Sequence, residues 1–234
     1  MGERIVILTG AGISAESGLG TFRDAGGIWA QYDLEEVATP EGFARDPAKV
    51  HAFYNARREN CRSAEPNAAH HALARLQAAH EGTVTLITQN IDDLFARAGA
   101  AAIHMHGELM RARCDACGAR WPAPLRMAPE DACAQCGARA TRPDVVWFGE
   151  MPHHLDEIFA ALGAADRFVA IGTSGAVQPA GNFVREAAAA GAHTLELNLE
   201  PSEASPLFAE ARHGPASALV PDWVAQMLGA RGGI

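Results

Sequence analysis

RIVILTGAGISA, residues 4 to 15, is an apolar, β-branched run that stops abruptly at a glycine-punctuated turn. A parallel strand covered on both faces reads this way, without polar alternation. Gly10, Gly12 and Ala15 fall in the spacing G-x-G-x-x-A. Such spacing lets the chain turn tightly at a strand end and offers helix N-terminal N–H groups to a pyrophosphate. The continuation, ESGLGTFRDAGGIW to residue 29, departs from a dehydrogenase. A dehydrogenase runs on into a full helix and a second strand, with an acid about 20 residues on to hold the ribose. Here Gly18 and Gly20 stop the helix within two turns, and Gly26 and Gly27 follow. The stretch is expected to form a long, ordered binding loop.

Outward from this turn, the strand signature recurs in VTLIT, RFVAIGT and HTLELNL, with Gly, Ser, Asn or Asp at or just past their ends (Asn90, Gly172 and Ser174, Asn198). Helical patterns lie between them at 47–62, 66–79, 154–164, 178–190 and 221–229. The alternation predicts an α/β protein with a doubly wound parallel sheet whose C-terminal strand ends carry polar groups. Two segments interrupt it: residues 31–65, helical in pattern, and residues 111–142, which hold four of the five cysteines.

Composition narrows the classes. The 234 residues are 48% hydrophobic and 20% charged, which suits one sizeable core with a small satellite. A net charge of -9 with scattered arginines gives no basic stripe, so direct nucleic-acid binding is not expected. Lys49 is the only lysine and stands in a polar helical stretch, which sets aside Schiff-base and P-loop chemistry. No segment approaches the roughly 18 apolar residues of a membrane span, and IVIL is too short for a signal-peptide core. A cytoplasmic protein is expected, with no membrane contact.

The cysteines agree with that. Cys114 and Cys117, then Cys133 and Cys136, spell C-x2-C-x15-C-x2-C, with Gly118 and Gly137 one residue past each pair. Two such knuckles predict one tetrahedral, all-thiolate zinc site, closed to substrate and therefore structural. Cys61 stands apart and is expected to be an inert thiol.

Two further strings fall where strand ends are expected. In TQNIDDL, Gln89, Asn90 and Asp92 can either cap a helix or point into the crevice at the sheet's carboxyl edge. Three polar residues beside a glycine-rich loop favour the crevice. In IHMHGEL, His104 and His106 are both candidate bases, and residue chemistry does not choose between them.

Taken in order, GAGISAESGLGTFR, TQNID, HMHGEL, the four cysteines, VVWFGE, IGTS and LNLE make the chain resemble the sirtuins, NAD-dependent protein-lysine deacylases, over essentially its whole length. The resemblance implies a Rossmann-like NAD-binding domain from residues 1–30, 66–110 and 143–234. It also implies a small domain from the helical insertion 31–65 and the zinc ribbon 111–142. The histidine before glycine, His106, becomes the general base. Gly10, Ala11, Gly12, Ala15, Thr21, Phe22 and Arg23 would line the NAD loop. Gln89, Asn90 and Asp92 would line the ribose and nicotinamide pocket. Gly172, Thr173, Ser174, Asn198, Leu199, Glu200 and Ala216 would surround the adenosine half. The implied reaction consumes NAD: the acyl-lysine oxygen attacks the nicotinamide ribose, His106 takes a proton from a ribose hydroxyl, and lysine and O-acyl-ADP-ribose are released. The resemblance implies acyl-lysine proteins as partners and sets no oligomeric state. An idle NAD or ADP-ribose sensor and a protein mono-ADP-ribosyltransferase are the alternatives on the same pocket.

The resemblance also bears on substrate. VVWFGE, 145–150, reads either as a buried strand or as a segment contacting the substrate near Val146 and Phe148. Tyr54 and Arg57, three apart on an expected helix, share a face, so a phenol and a guanidinium fork can meet one carboxylate. A subset of sirtuins, class III, carries such a pair and removes succinyl, malonyl and glutaryl groups. Ala38 resembles the small residue that leaves room for the longer chain.

Overall fold

The computed structural model describes residues 2–20 and 33–229. Strand β1 (Arg4–Thr9) is buried from its second residue onward and lies at the centre of the main sheet. Its side chains alternate between two cores. Ile5 and Ile7 pack on one face of the sheet, Val6 and Leu8 on the other, which is why the run reads as uninterrupted apolar sequence.

Beyond β1 come a single helical turn, α1 (Gly12–Ala15), then α2 (Leu34–Val37), α3 (Pro40–Arg45), α4 (Pro47–Ser63) and α5 (Ala68–Ala79). Asp33, Thr39, Asp46 and Asn67 cap α2, α3, α4 and α5 with their side chains. Next follow β2 (Thr83–Thr88), α6 (Leu94–Arg97), β3 (Ala102–His104), β4 (Gly107–Cys114), β5 (Arg120–Pro122) and β6 (Thr141–Val145). The chain closes with α7 (Leu155–Gly163), β7 (Arg167–Ile171), α8 (Phe183–Ala189), β8 (His193–Asn198), β9 (Glu210–His213) and α9 (Ala216–Gly229).

The main sheet has the order β3-β2-β1-β7-β8-β9, all parallel. α5 and α9 cover one face around Leu73, Leu76, Trp223 and Val224, and α7 and α8 cover the other around Ile158, Leu162, Phe183 and Val184. With β2 on one side of β1 and β7 on the other, the strand order reverses at β1 and opens a crevice at the carboxyl edge.

The second sheet, β5-β4-β6, is antiparallel and spans residues 107–145, so it straddles the expected boundaries at 110 and 143. Helix α4 is tied to it from the insertion side. Asn55 donates to the Met127 carbonyl and accepts the Met127 N–H, both at 2.9 Å, while Arg58 donates to the Leu125 and Leu109 carbonyls. Arg58 is fully buried.

Two elements differ from expectation. The pattern at 178–190 resolves into a 3-10 turn (Ala180–Asn182) and then α8, because Pro179 and Gly181 delay the regular helix. The last helix begins at Ala216 and runs through Pro221. Pro215 is the true start signal, and the Glu16 carboxylate binds the Ser217 N–H and hydroxyl in the first turn.

Candidate functional site

The glycines of the first turn serve close approach. A Cβ on Gly12 would meet the Gly172 backbone at 2.8 Å, and one on Gly10 would meet the Gly172 carbonyl at 2.7 Å. The Gly10 N–H donates to the Ile171 carbonyl and the Gly12 N–H to the Gly172 carbonyl. Between residues 10 and 14, the Ala11 N–H alone has no backbone partner among the described residues. The turn after β1 is thus clamped to the turn after β7, and the N–H groups expected to face a pyrophosphate are mostly committed within the protein.

A cavity of about 840 Å³ opens beside this clamp. It is lined by Gly10, Ala11, Gly12 and Ala15 after β1, by Gln89, Asn90 and Asp92 after β2, and by His106 before β4. Gly172, Thr173 and Ser174 after β7, Asn198, Leu199 and Glu200 after β8, and Ala216 at the start of α9 complete its far side. Ala38, Tyr54, Arg57, Val146 and Phe148 line the end nearest the helical insertion. The fold therefore gathers into one cavity every predicted NAD, base and substrate residue that it describes. Thr21, Phe22 and Arg23 lie outside the described residues.

The residues after β2 are oriented by a hydrogen-bond relay that includes two side chains sequence reasoning missed, Ser14 and His70. The Asn67 N–H donates to His70 Nδ1 at 3.3 Å, so the proton of this buried imidazole sits on Nε2 and points to Ser14 Oγ, 3.4 Å away. Ser14 Oγ also accepts from Asn90 Nδ2 and donates to Asp92 Oδ2 at 3.0 Å. Its one donor and two acceptor sites are all used. Asp92 Oδ1 accepts the Leu94 N–H from the position before the N-cap residue Asp93, so Asp92 both ties down the start of α6 and lines the cavity. Burial raises the Asp92 pKa and pulls that of His70 down to about 4, which keeps the imidazole neutral. The signal for His70 lay in Asn67-x-x-His, a capping box.

The two candidate histidines separate cleanly. His104 turns its Nδ1 to the Asn90 carbonyl and does not line the cavity. His106 bonds the Gln89 carbonyl through Nδ1 at 3.0 Å and does line it. That bond fixes the proton on Nδ1 and leaves the Nε2 lone pair as the basic site. Burial lowers the His106 pKa, so the neutral, proton-accepting form prevails at neutral pH.

At the opposite end, the segment 145–150 is part buried strand end and part cavity wall. Strand β6 ends at Val145; Trp147 is buried and Phe148 is 49% exposed. The N–H groups of Val146, Trp147 and Phe148 already bond the His106 carbonyl, the Glu150 carboxylate and the Ala38 carbonyl. Those N–H groups are closed to a substrate strand. Tyr54 is buried and its hydroxyl accepts the Trp147 indole N–H at 2.9 Å, while Arg57, one turn on, is half-buried and lies over the Phe53 ring. Cys61 also lines the cavity, but burial pushes its thiol up to about 12, so it is no nucleophile.

The four paired cysteines converge. Their sulfurs all lie within 4.8 Å of one another, with Cys114–Cys136 at 3.7 Å and Cys117–Cys133 at 3.8 Å. Thiolates about 2.3 Å from a tetrahedral zinc stand about 3.8 Å apart, so the spacing fits the metal, and it is far beyond a disulfide bond. Gly118 and Gly137, both at φ 75°, close each knuckle by donating to the Cys114 and Cys133 carbonyls. The site suits one structural zinc.

A dinucleotide-sized crevice at a topological switch point, a neutral histidine facing it and a four-thiolate knuckle beside it define a nucleotide-binding α/β enzyme with a zinc module. The model of the Sir2 family matches residues 10–179, and the chain belongs to that family. It is 55% identical to an NAD-dependent protein deacylase of Caulobacter vibrioides, over 96% of this chain and 97% of that protein. It is 56% identical to an NAD-dependent protein deacylase of Escherichia coli strain K12, over 96% and 82%. Among solved structures it superposes on a Sir2 homologue in complex with NAD with a TM-score of 0.89 at 38% identity, covering 97% of this chain and 90% of that one.

Proposed function

We propose that this chain is an NAD-dependent protein-lysine deacylase that removes acetyl and acidic acyl groups, and that it works in the cytoplasm. The observation that carries the reading is His106: its Nδ1 is held by the Gln89 carbonyl, its Nε2 has no hydrogen-bond partner among the described residues, and the residue lines the cavity that the turns after β1, β2, β7 and β8 build together. Bound NAD would supply an electrophilic ribose carbon that takes up the acyl oxygen as nicotinamide leaves, ending in O-acyl-ADP-ribose.

The chain's own residues account for the rest. Gln89 and Asn90 have spent their side-chain N–H groups on Thr9, Thr173, Gly10 and Ser14, so their amide oxygens are what they offer a ribose or a carboxamide. Asp92, held by Ser14 and Leu94, keeps a carboxylate at the same place. Gly172, Thr173, Ser174, Asn198, Leu199, Glu200 and Ala216 would take the adenosine half, while Gly10, Ala11, Gly12, Ala15, Thr21, Phe22 and Arg23 would line the NAD loop. His106 Nε2 would accept the proton of a ribose hydroxyl. Cys114, Cys117, Cys133 and Cys136 would hold zinc, which supplies folding energy and no open coordination position. Thiols gathered for a metal rather than for disulfides support a reducing compartment. We read residues 1–30, 66–110 and 143–234 as the NAD-binding domain, and 31–65 with 111–142 as the small one.

Tyr54 and Arg57 at the cavity end support acidic acyl groups, with Ala38 making room for the chain and Val146 and Phe148 contacting the substrate through side chains and carbonyls. Mass spectrometry of the products from NAD and matched acetyl- and succinyl-lysine peptides tests the proposal. Nicotinamide and both O-acyl-ADP-ribose species are expected. ADP-ribosylated protein, or no turnover of NAD, would refute it.

A further inference from the structure

Trp147 is 3% exposed and its indole N–H donates to the Tyr54 hydroxyl. A buried indole needs such a partner, so by itself the bond is unremarkable. Its setting is not. The Arg142 guanidinium carbon lies 3.2 Å from the centroid of the Trp147 ring, and Arg142 is 2% exposed. Glu150 binds Arg142 through both carboxylate oxygens, at 2.7 and 2.9 Å, and accepts the backbone N–H of Trp147. Arg113 makes a second contact to Glu150 at 3.2 Å. Trp147 is thus fixed in position, and a cation over its face draws electron density from the indole and strengthens its N–H as a donor.

A phenol has one proton and two acceptor lone pairs. With the indole filling one lone pair, the proton must point elsewhere, and among the described residues it meets no acceptor, while Tyr54 lines the cavity. We propose that Trp147 is a positioning residue for acyl-chain selectivity: it turns the Tyr54 O–H toward the cavity and polarises it for an acyl carboxylate, with Arg142 and Glu150 holding the indole in place. Hydrogen bonds in such a chain reinforce one another, so the carboxylate is met by a stronger donor than an isolated phenol. Burial also raises the Tyr54 pKa, so the proton is present throughout the neutral range. The inference rests on the acidic-acyl reading of Tyr54.

A double-mutant cycle tests it. Tyr54→Phe, Trp147→Phe and the double variant are assayed for kcat/KM on succinyl- and acetyl-lysine peptides of one sequence, and the succinyl-to-acetyl ratio is followed. Trp147→Phe is expected to lower that ratio about three- to tenfold, mainly through KM for the succinyl peptide, and to have no further effect in the Tyr54→Phe background. A ratio that falls equally in both backgrounds, or does not fall, overturns the positioning role alone. A ratio untouched by Tyr54→Phe overturns the acidic-acyl reading and this inference with it. Should Trp147→Phe not fold, the indole N–H resonances of the wild-type protein decide, assigned by substituting the other three tryptophans in turn. The Trp147 signal is expected to move downfield with the succinyl peptide and not with the acetyl peptide; identical responses overturn the proposal.

Discussion

Arg57→Met removes the guanidinium from the end of the cavity nearest the helical insertion, where the proposed function places the acyl chain, and keeps a straight side chain of similar length. An exposed ion pair would contribute about 0–1 kcal/mol, too little to set specificity. Arg57 is not exposed: it is half-buried on α4, one turn from Tyr54, and burial lowers its pKa, although a guanidinium remains charged at neutral pH. The desolvated range for a hydrogen bond to a charged group therefore applies, about 1.5–3 kcal/mol, or about 13- to 150-fold in kcat/KM. The assay compares succinyl- and acetyl-lysine peptides of one sequence, and the quantity is the ratio of their kcat/KM values. That ratio should fall by the stated factor, because acetyl-lysine has no carboxylate to lose a partner. Arg57→Lys, which keeps the charge but not the planar fork, should fall between. Equal losses on both peptides, or a wild-type enzyme that ignores succinyl-lysine, would refute the assignment of Tyr54 and Arg57 and leave a plain deacetylase.

His106→Ala should keep NAD binding, measured by calorimetry, and lose at least about 10²-fold in turnover, while His104→Ala should mainly affect the melting temperature; the reverse pattern would reassign the base. Because burial lowers the His106 pKa, the acid limb of kcat/KM should have its midpoint below the ordinary imidazole value of about 6.5, and a midpoint above it contradicts the buried, neutral base. Cys114→Ser should bring zinc below one per chain by elemental analysis and lower the melting temperature; a normal melt without zinc would remove its structural role. The buried His70, with its pKa pulled down to about 4, binds its proton less readily in the native than in the unfolded chain. Stability should therefore fall as pH drops from about 6.5 toward 4. Between pH 7 and 5 the wild type should lose about 2 kcal/mol more than His70→Gln in urea titrations, and parallel losses would count against it.

Why some of this was legible in the sequence and some was not comes down to the range of the interactions. β1 and the other central strands are buried on both faces, so burial wrote itself into unbroken apolar runs, and the cysteine knuckles carry their geometry in a fixed local spacing. Edge elements such as β9, exposed at alternate residues, left no such trace. Residue chemistry left His104 and His106 level and only the family resemblance chose His106; the physical difference, the bonds to the Asn90 and Gln89 carbonyls, comes from a different strand end. Ser14 and the Arg142–Glu150 pair left no signal, being defined by a partner distant in sequence or by a buried charge that composition reports only as a polar residue, and the Asn67-x-x-His capping box signalled a helix start but not the contact of His70 with Ser14. The glycines were legible as a turn, but their physical cause, contact with Gly172, was not.

Helix α4 carries two vocabularies on neighbouring positions. Tyr54 and Arg57 face the cavity, while Asn55 and Arg58 are bolted to residues 125–127, midway between the two cysteine pairs. The helix thus joins the cavity wall to the chain between the knuckles. The fifteen-residue spacer from Cys117 to Cys133 therefore carries the segment against which this helix rests. Lengthening or shortening it would swing the phenol and guanidinium together while the turns after β1, β7 and β8 stay where the parallel sheet puts them. A change of spacer length is therefore expected to act on the cavity end lined by Tyr54 and Arg57 and to spare the turns at the strand ends.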